Sequence, residues 1–284
     1  EDLHALAGGR PEDREAQLAH KLAELDSMIG LGPVKEWVHS LVAQATVNQR
    51  MLELDGAMER PNYHVAFTGN PGTGKTTVAR TVAEVFHLLG ILSTPTVESV
   101  PASQLQGRYL GHSAANTHQA FDAAMGGVLF IDEAHQLRTQ GGKNSSFKQE
   151  IVDAMITRLE DDRDKFVAIF AGYTDEMHEF FRSDPGLKSR VPAEIEFPDY
   201  TSEEVAEIAS RALAKQWRFD AELLTEIAAS AYTALPAEER SNGRWARTFT
   251  EEIITRHNRY VIDHDIHGEE MLHITEEVLR EFQP

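Results

Sequence analysis

The chain has 284 residues, 41% of them hydrophobic and 26% charged, with 46 acidic against 27 basic side chains and a formal net charge of −19. That length suits one large domain plus a smaller one, and the hydrophobic share permits a proper core. The acidic balance, with no Lys/Arg-rich tract, argues against a nucleic-acid motor, and the absence of cysteine excludes a disulfide framework and thiolate metal sites.

Glu1 stands where Met would open a complete reading frame, which predicts a chain processed or cut from a longer one. No signal-peptide pattern follows and no apolar run reaches membrane-spanning length, so a cytoplasmic location without membrane insertion is expected. Glu12–Asp26 reads as an amphipathic helix with Leu18, Leu22 and Leu25 on one face. A turn at Ile29-Gly30-Leu31-Gly32-Pro33 leads into a second helix over Val34–Glu53, and Gly56–Asn62 is a polar loop.

The apolar, β-prone run Tyr63–Thr68 then feeds Gly69-Asn70-Pro71-Gly72-Thr73-Gly74-Lys75-Thr76, a complete G-x-x-x-x-G-K-T phosphate loop, with helix-favouring Val78–Leu89 behind it. Its glycines let successive backbone N–H groups curl around phosphate oxygens at the positive end of a helix dipole. Lys75 is placed to reach the β- and γ-phosphates and the Thr76 hydroxyl to sit on Mg²⁺. A nucleoside triphosphate is therefore the expected ligand. No Asn-Lys-x-Asp guanine-reading motif occurs, which favours ATP.

Thr96–Val100 reads as a short strand and Ala114–Met125 as a helix. Between them, Gly107-Arg108-Tyr109-Leu110-Gly111-His112 sets an aromatic and an aliphatic side chain between glycines. This is either an exposed apolar tip that grips something or a turn whose Tyr109 packs inward. Val128–Ile131, apolar without alternation, suits a central parallel strand buried on both faces and ends in Asp132 and Glu133. In such sheets the strand C-termini carry the ligand groups, so Asp132 is expected on Mg²⁺ and Glu133 as the base that polarises the attacking water. A Glu after the metal Asp predicts hydrolysis rather than a slow switch.

A Gly/Asn/Ser loop at Gly141–Ser146 opens a helix over Phe147–Glu160, followed by strands at Phe166–Ala171 and Glu194–Phe197. Strands alternating with helices predict an α/β fold, a parallel sheet covered on both faces. From Thr201 the pattern turns all-helical, with Thr201–Gln216, Ala221–Ala234, Arg244–His264 and Thr275–Phe282, and the break near Pro198–Thr201 marks the boundary. Asp263, His264, Asp265, His267 and His273 crowd the end, but without HExxH or Cys partners they read as a solvated acidic helix end rather than a metal site.

A three-layer P-loop nucleotide domain followed by a helical lid resembles the AAA+ ATPases. Ile29-Gly30-Leu31 with Val34-Lys35 resembles the segment that packs on adenine; Gly186-Leu187-Lys188-Ser189-Arg190 resembles the stretch that bears the arginine finger, with Arg190 matching. Asn242-Gly243-Arg244 resembles the lid's second sensor, with Arg244 matching. Within AAA+ proteins the chain is similar to the group of sporulation stage V protein K, red-type rubisco activase and the type VII (ESX) secretion ATPase. Matching stretches run from about Leu25 to Tyr260 and include Phe67–Thr77, Tyr109-Leu110-Gly111, Asp161-Asp162-Arg163-Asp164 and Ala171-Gly172-Tyr173. An aromatic after the sensor Arg, in Asn242-Gly243-Arg244-Trp245-Ala246-Arg247, looks most like the secretion branch.

The resemblance implies a helical extension over 1–25, an AAA+ nucleotide domain over 26–200 and a lid over 201–284. It implies ATP and Mg²⁺ held by Ile29, Gly30, Pro71, Gly72, Thr73, Gly74, Lys75, Thr76, Thr77, Asp132 and Arg244. It further implies catalysis by Lys75, Glu133, Arg190 and Arg244, and a homohexamer that pulls a protein substrate past Tyr109 and Leu110. A rubisco activase-like remodeller or a nucleotide-dependent assembly switch are the alternatives; nucleic acid is not an expected partner. The chain departs from the family where Gly172-Tyr173-Thr174 replaces the usual first-sensor Asn or Thr, leaving Tyr173 or Thr174 for that role. Lys148 departs near the second pore loop.

Overall fold

The computed structural model describes residues 11–53, 61–107, 109, 111–138 and 145–282. Most of the two expected polar loops, residues 56–60 and 141–144, and Leu110 lie outside these residues. The chain divides into two compact units. The first comprises the residues up to Gly69 together with Lys75–Phe197; the second comprises Asn70–Gly74 and Pro198–Pro284.

The first unit begins with helices α1 (Pro11–Ser27) and α2 (Gly32–Glu53) and continues through β1 (Val65–Thr68), α3 (Lys75–Leu88), β2 (Val97–Pro101) and α4 (His112–Ala123). It is completed by β3 (Val128–Asp132), α5 (Ser145–Asp161), β4 (Val167–Gly172), α6 (Thr174–Ser183), α7 (Pro185–Arg190) and β5 (Ala193–Glu196). The strands form one sheet in the order β2-β3-β4-β1-β5, all neighbours parallel. This bears out the expected α/β parallel sheet, and β3 runs inside it as its unbroken apolar run requires. Because side chains alternate along a strand, Ala66, Leu129, Ile131, Ala168 and Phe170 share one face. They pack there with Phe121 of α4, Met155 of α5, Phe180 of α6 and Leu187 of α7. The opposite set, Phe67, Phe130 and Ile169 among it, is equally buried. Each such fully buried large side chain contributes about 1.5–3 kcal/mol, so coverage of both faces holds the sheet's register.

Two helices, α6 and α7, replace a stretch that the sequence reading gave to motifs alone. The local signals are present: Met177, Phe180 and Phe181 fall at helical spacing and are buried. Asp184 then caps α7 through its side chain, accepting from Leu187 N at 2.9 Å, with Pro185 at the first helical position.

The second unit carries α8 (Ser202–Leu213), α9 (Ala221–Ala234), α10 (Gly243–Asp263) and α11 (Glu276–Arg280). Val205, Ala209 and Leu213 meet Leu224, Ile227, Phe249, Ile253 and Leu279 in its core. Thr201 and Glu204 form a reciprocal capping box at the start of α8, which fixes where that helix begins.

Candidate active site

Strand β1 delivers the phosphate loop. Gly69 sits at φ 139°, and a Cβ there would lie 2.3 Å from the Phe197 carbonyl oxygen, so only glycine turns the chain out of the sheet. Gly72 and Gly74 also adopt positive φ, at 79° and 97°. Lys75 opens α3 and its Nζ donates to Gly69 O at 2.7 Å, which folds the ammonium back over the loop. Thr76 is half-buried one residue into the helix, and Thr77 is exposed. Within the first unit, Gly69 at positive φ, the N-terminus of α3 and Lys75 folded onto Gly69 O fit the phosphates of a nucleotide. Thr76 and Asp132 are the groups that would hold Mg²⁺ beside those phosphates. Among the described residues no group of three His, Cys, Asp or Glu could hold a metal, the histidine-rich end included.

The tip of the loop, Asn70–Gly74, belongs to the second unit, and that unit's own backbone closes on it. A Cβ on Gly72 would stand 2.2 Å from Ser241 O and 2.9 Å from Arg244 N. Glycine at this position therefore serves the approach of the segment before α10 as well as the approach of phosphate. Gly243 N donates to Gly72 O at 3.0 Å. Pro71 is half-buried and Thr73 buried, its hydroxyl donating to Asn70 O at 2.8 Å.

Two more strand ends reach the same edge. Strand β4 lies between β1 and β3, and Gly172 O at its end accepts from Gly69 N at 3.1 Å. Asp132 ends β3 half-buried, its Oδ1 accepting from Glu133 N at 3.0 Å. Glu133 is exposed and held at φ 53°, ψ 39°, a left-handed conformation uncommon for a side-chain-bearing residue and of the kind that clusters at functional positions. A 3-10 turn over Ala134–Leu137 follows; residues three apart eclipse on such a turn, and Gln136 Nε2 donates to Glu133 Oε2.

Tyr173 and Thr174 divide as follows. Tyr173 is half-buried, caps α6 with its backbone, and its ring lies 5.2 Å from that of His135. Thr174 is the first residue of α6. His135 Nδ1 is buried without a partner among the described residues, and burial holds the imidazole below its usual pKa against the pull of Glu176, Glu133 and Asp132. A Cβ on Gly172 would stand 2.7 Å from that Nδ1 and from Met177, so glycine precedes Tyr173 because these side chains close over it. Sequence reasoning missed His135 and Gln136. Their signal was the run Asp132-Glu133-Ala134-His135-Gln136, whose polar residues continue past the strand at 3-10 spacing.

The arginines fall apart by unit. Arg190 ends α7, where its Nη1 donates to Gly186 O at 3.0 Å. Its Nε lies 3.1 Å from Glu160 Oε2 without the alignment of a hydrogen bond. Arg244, in the first turn of α10, is exposed, and Arg247 pairs with Glu251 at 2.9 Å. Ile29 and Gly30 are half-buried in the bend between α1 and α2, where Gly30 and Leu31 take φ 62° and 61°. Tyr109 is 68% exposed, with its ring edge-on to His112 at 5.3 Å, so the inward-packed alternative does not hold.

The family model for the ATPase family associated with various cellular activities (AAA) matches residues 65–199. Protein CbbX of Cereibacter sphaeroides is 44% identical over 196 residues, 69% of this chain and 63% of CbbX. The chloroplastic ribulose bisphosphate carboxylase/oxygenase activase of Cyanidioschyzon merolae is 40% identical over 206 residues, 72% of this chain and 70% of the activase. The ESX-1 secretion system protein EccA1 of Mycobacterium tuberculosis is 38% identical over 252 residues, 84% of this chain but 43% of EccA1. The chain thus spans under two thirds of CbbX and under half of EccA1. Identity is higher to the activase-like proteins than to the secretion protein, which weakens the expected secretion likeness. The aromatic on which that expectation leaned has a structural part of its own. Trp245 stacks on Phe249 at 4.8 Å and meets Tyr232 at 5.0 Å, so it is a packing residue of the second unit and a poor marker of branch. With Lys75 opening the helix after β1, Asp132 and Glu133 at the end of β3 and these relatives alongside, the chain belongs to the AAA ATPase family, whose members hydrolyse ATP with Mg²⁺.

Proposed function

We propose that this chain is the motor of a cytoplasmic, ring-forming remodeller, a homohexamer that spends ATP to pull a protein substrate past Tyr109. The observation that carries the reading is Tyr109 itself, 68% exposed on the loop after β2 in an AAA ATPase. An aromatic left in water loses burial free energy, and its retention is accounted for by a surface it grips. In this reading residues 26–200 bind the nucleotide and 201–284 act as the lid. Ile29 and Gly30 meet adenine, and Pro71–Thr77 and Lys75 hold the phosphates. Glu133 takes the proton of the attacking water, which Tyr173 orders. Arg190 exchanges Glu160 for a neighbouring subunit's γ-phosphate, and Arg244 reports phosphate loss to the lid. Leu110 would share the grip.

The activase of Cyanidioschyzon merolae supplies the first substrate to try, an inhibited ribulose bisphosphate carboxylase/oxygenase. ATP-dependent recovery of carboxylation, lost in Tyr109→Ala, is the expected result; no recovery with any related carboxylase removes that substrate. A secretion role is the second reading, supported by the EccA1 match over 84% of this chain. The ATPase rate per subunit against protein concentration tests the ring. A rate that rises with assembly fits a shared site, whereas a flat rate favours a switch that assembles without pulling.

A further inference from the structure

The chemistry of a phosphate loop lies in its N–H groups, yet what the structure accounts for most fully here is its carbonyls. In the second unit, three consecutive ones are each held by a donor from the segment before α8 or from the start of α10. Pro71 O accepts from Asn242 Nδ2 at 3.2 Å, Gly72 O from Gly243 N at 3.0 Å, and Thr73 O from Tyr200 Oη at 3.2 Å. A trans peptide is planar with its C=O and N–H antiparallel, and the described chain has no cis bond. Fixing those three carbonyls therefore turns the N–H groups of Gly72, Thr73 and Gly74 to the opposite side, which is the orientation an anion nest requires.

Asn242 is built for this. It is 1% exposed and takes φ 55°, ψ −134°, a strained conformation for a residue with a side chain. Its amide orientation is dictated by its partners. Nδ2 faces two acceptors, Pro71 O and Asp199 Oδ1 at 2.8 Å, while Oδ1 accepts from Tyr200 N at 2.9 Å. Asp199 also accepts from Asn70 Nδ2, at 2.9 and 3.1 Å, so the first residue of the tip joins the same network. The backbone N–H of Asn242 donates to Tyr232 Oη at 3.1 Å, anchoring the network in the core of the unit. Burial, with the Glu204 charge adding to it, pushes the Tyr200 hydroxyl up to about 12, so it remains a donor across the physiological range.

We propose that Asn242 and Tyr200 are positioning residues that set nucleotide affinity from behind the phosphate loop, by fixing the peptide planes of residues 71–74. They touch carbonyls rather than phosphate, which separates them from Lys75 and Arg244. The proposal rests on nucleotide binding at this loop and is independent of whether the chain remodels a protein.

Two variants test it with the whole chain. Tyr200→Phe removes one hydroxyl and keeps the ring. Asn242→Gly removes the amide while supplying the residue best suited to positive φ. The readout is the equilibrium Kd for ADP and for ATP with Mg²⁺, measured beside the thermal midpoint of the nucleotide-free protein. Tyr200→Phe should raise both Kd values by about 5–10-fold and Asn242→Gly by roughly 10–100-fold, the range expected for one and for several lost hydrogen bonds. In steady state the loss should appear in KM ahead of kcat, because the planes are held alike in ground and transition states. Unchanged Kd in folded Tyr200→Phe, whatever its thermal midpoint, overturns the proposal and leaves these residues a packing role. If Asn242→Gly does not fold, Tyr200→Phe alone decides. A wild-type chain that binds neither nucleotide refutes the site itself, an outcome distinct from variants that bind as well as the wild type.

Discussion

The loop after β1 and the loop after β2 leave the same edge of one parallel sheet, and they are held to opposite degrees. In the first, carbonyls from Gly69 to Thr73 accept hydrogen bonds from Lys75, Thr73, Asn242, Gly243 and Tyr200 in turn. In the second, glycines bracket an aromatic ring that stands 68% exposed. Gly111 N donates to Glu150 at 3.2 Å, Gly107 N to Ser113 Oγ at 2.9 Å and His112 N to Tyr109 O at 3.1 Å, so the described backbone of this loop is tied down while the Tyr109 ring stands out. Electrostatic catalysis gains from dipoles already aimed before the ligand arrives, which suits a loop whose carbonyls are held. A grip on changing polypeptide gains from an apolar tip that is not committed to a partner. Strands β3 and β4 stand between the two, a separation of roughly 14 Å at about 4.8 Å per strand. Chemistry and contact with substrate can therefore be damaged separately.

The largest effect should come from Glu133→Gln. If Glu133 is the proposed base, neutralising it leaves the loop and Lys75 intact, so ATP still binds while hydrolysis falls by up to about 10⁴-fold. Single-turnover phosphate release beside an ATP titration reads both; normal hydrolysis would remove Glu133 from the mechanism. Arg190→Ala should follow, with a loss of about 10³-fold if its guanidinium serves a neighbour's phosphate. Each variant is then inactive alone, yet mixed rings contain interfaces where an intact Glu133 faces an intact Arg190. Partial recovery on mixing marks a role in trans, whereas none in verified mixed rings leaves Arg190 to its own chain's Glu160.

A smaller effect probes the foundation of the rigid loop. His64, immediately before β1, is buried against Phe166, and its Nδ1 accepts from Ala168 N at 3.0 Å. Burial lowers its pKa from the ordinary 6.5 to about 4. Between these values the unfolded chain binds the proton that the folded chain refuses, so stability rises with pH across this window and is flat above it. The difference amounts to about 3 kcal/mol at one pKa unit per 1.36 kcal/mol. Denaturant unfolding at pH 4.5 and 7 should show a steeper loss in the wild type than in His64→Asn, which keeps an acceptor near Nδ1 and loses the titration. Parallel pH profiles would mean His64 titrates normally.

What was legible in the sequence follows from which interactions are local. The strand–loop–helix at Tyr63–Leu89 and the apolar run into Asp132 declare themselves because their spacing and chemistry are fixed along the chain. Helices α6 and α7 are equally local, in Met177, Phe180, Phe181 and Asp184-Pro185, but at ten and six residues they are too short for periodicity to announce them strongly. The hold on the loop tip was not legible. Asn242 and Asp199 lie 171 and 128 positions from Pro71, and only the folded second unit reveals that their amide and carboxylate meet around the loop. Asn242-Gly243-Arg244 was noticed for its arginine, whereas the asparagine makes the buried contacts. His135 was hidden for a related reason. Its neighbour Tyr173 comes from the next strand, and no spacing along one segment announces a pair made across two.

The smallest expected change in ATP turnover is the most discriminating. Tyr109→Ala removes a ring that is 68% exposed and meets the edge of His112, so the fold loses little burial. The loop stands three strand spacings from the phosphate loop, so turnover should stay within about twofold of wild type. In the proposed remodeller, what is lost is the amphipathic contact with substrate, about 1 kcal/mol or more for each aromatic. Subunits of a ring share that contact, so a modest loss in each should abolish force transmission altogether. Measured side by side, ATP turnover and substrate remodelling should separate, the first retained and the second gone. A variant that unfolds would show Tyr109 to be a packing residue despite its exposure. One that folds and remodels at the wild-type rate would show that this loop does no pulling, and the assembly switch would then be the better account of where the energy of ATP goes.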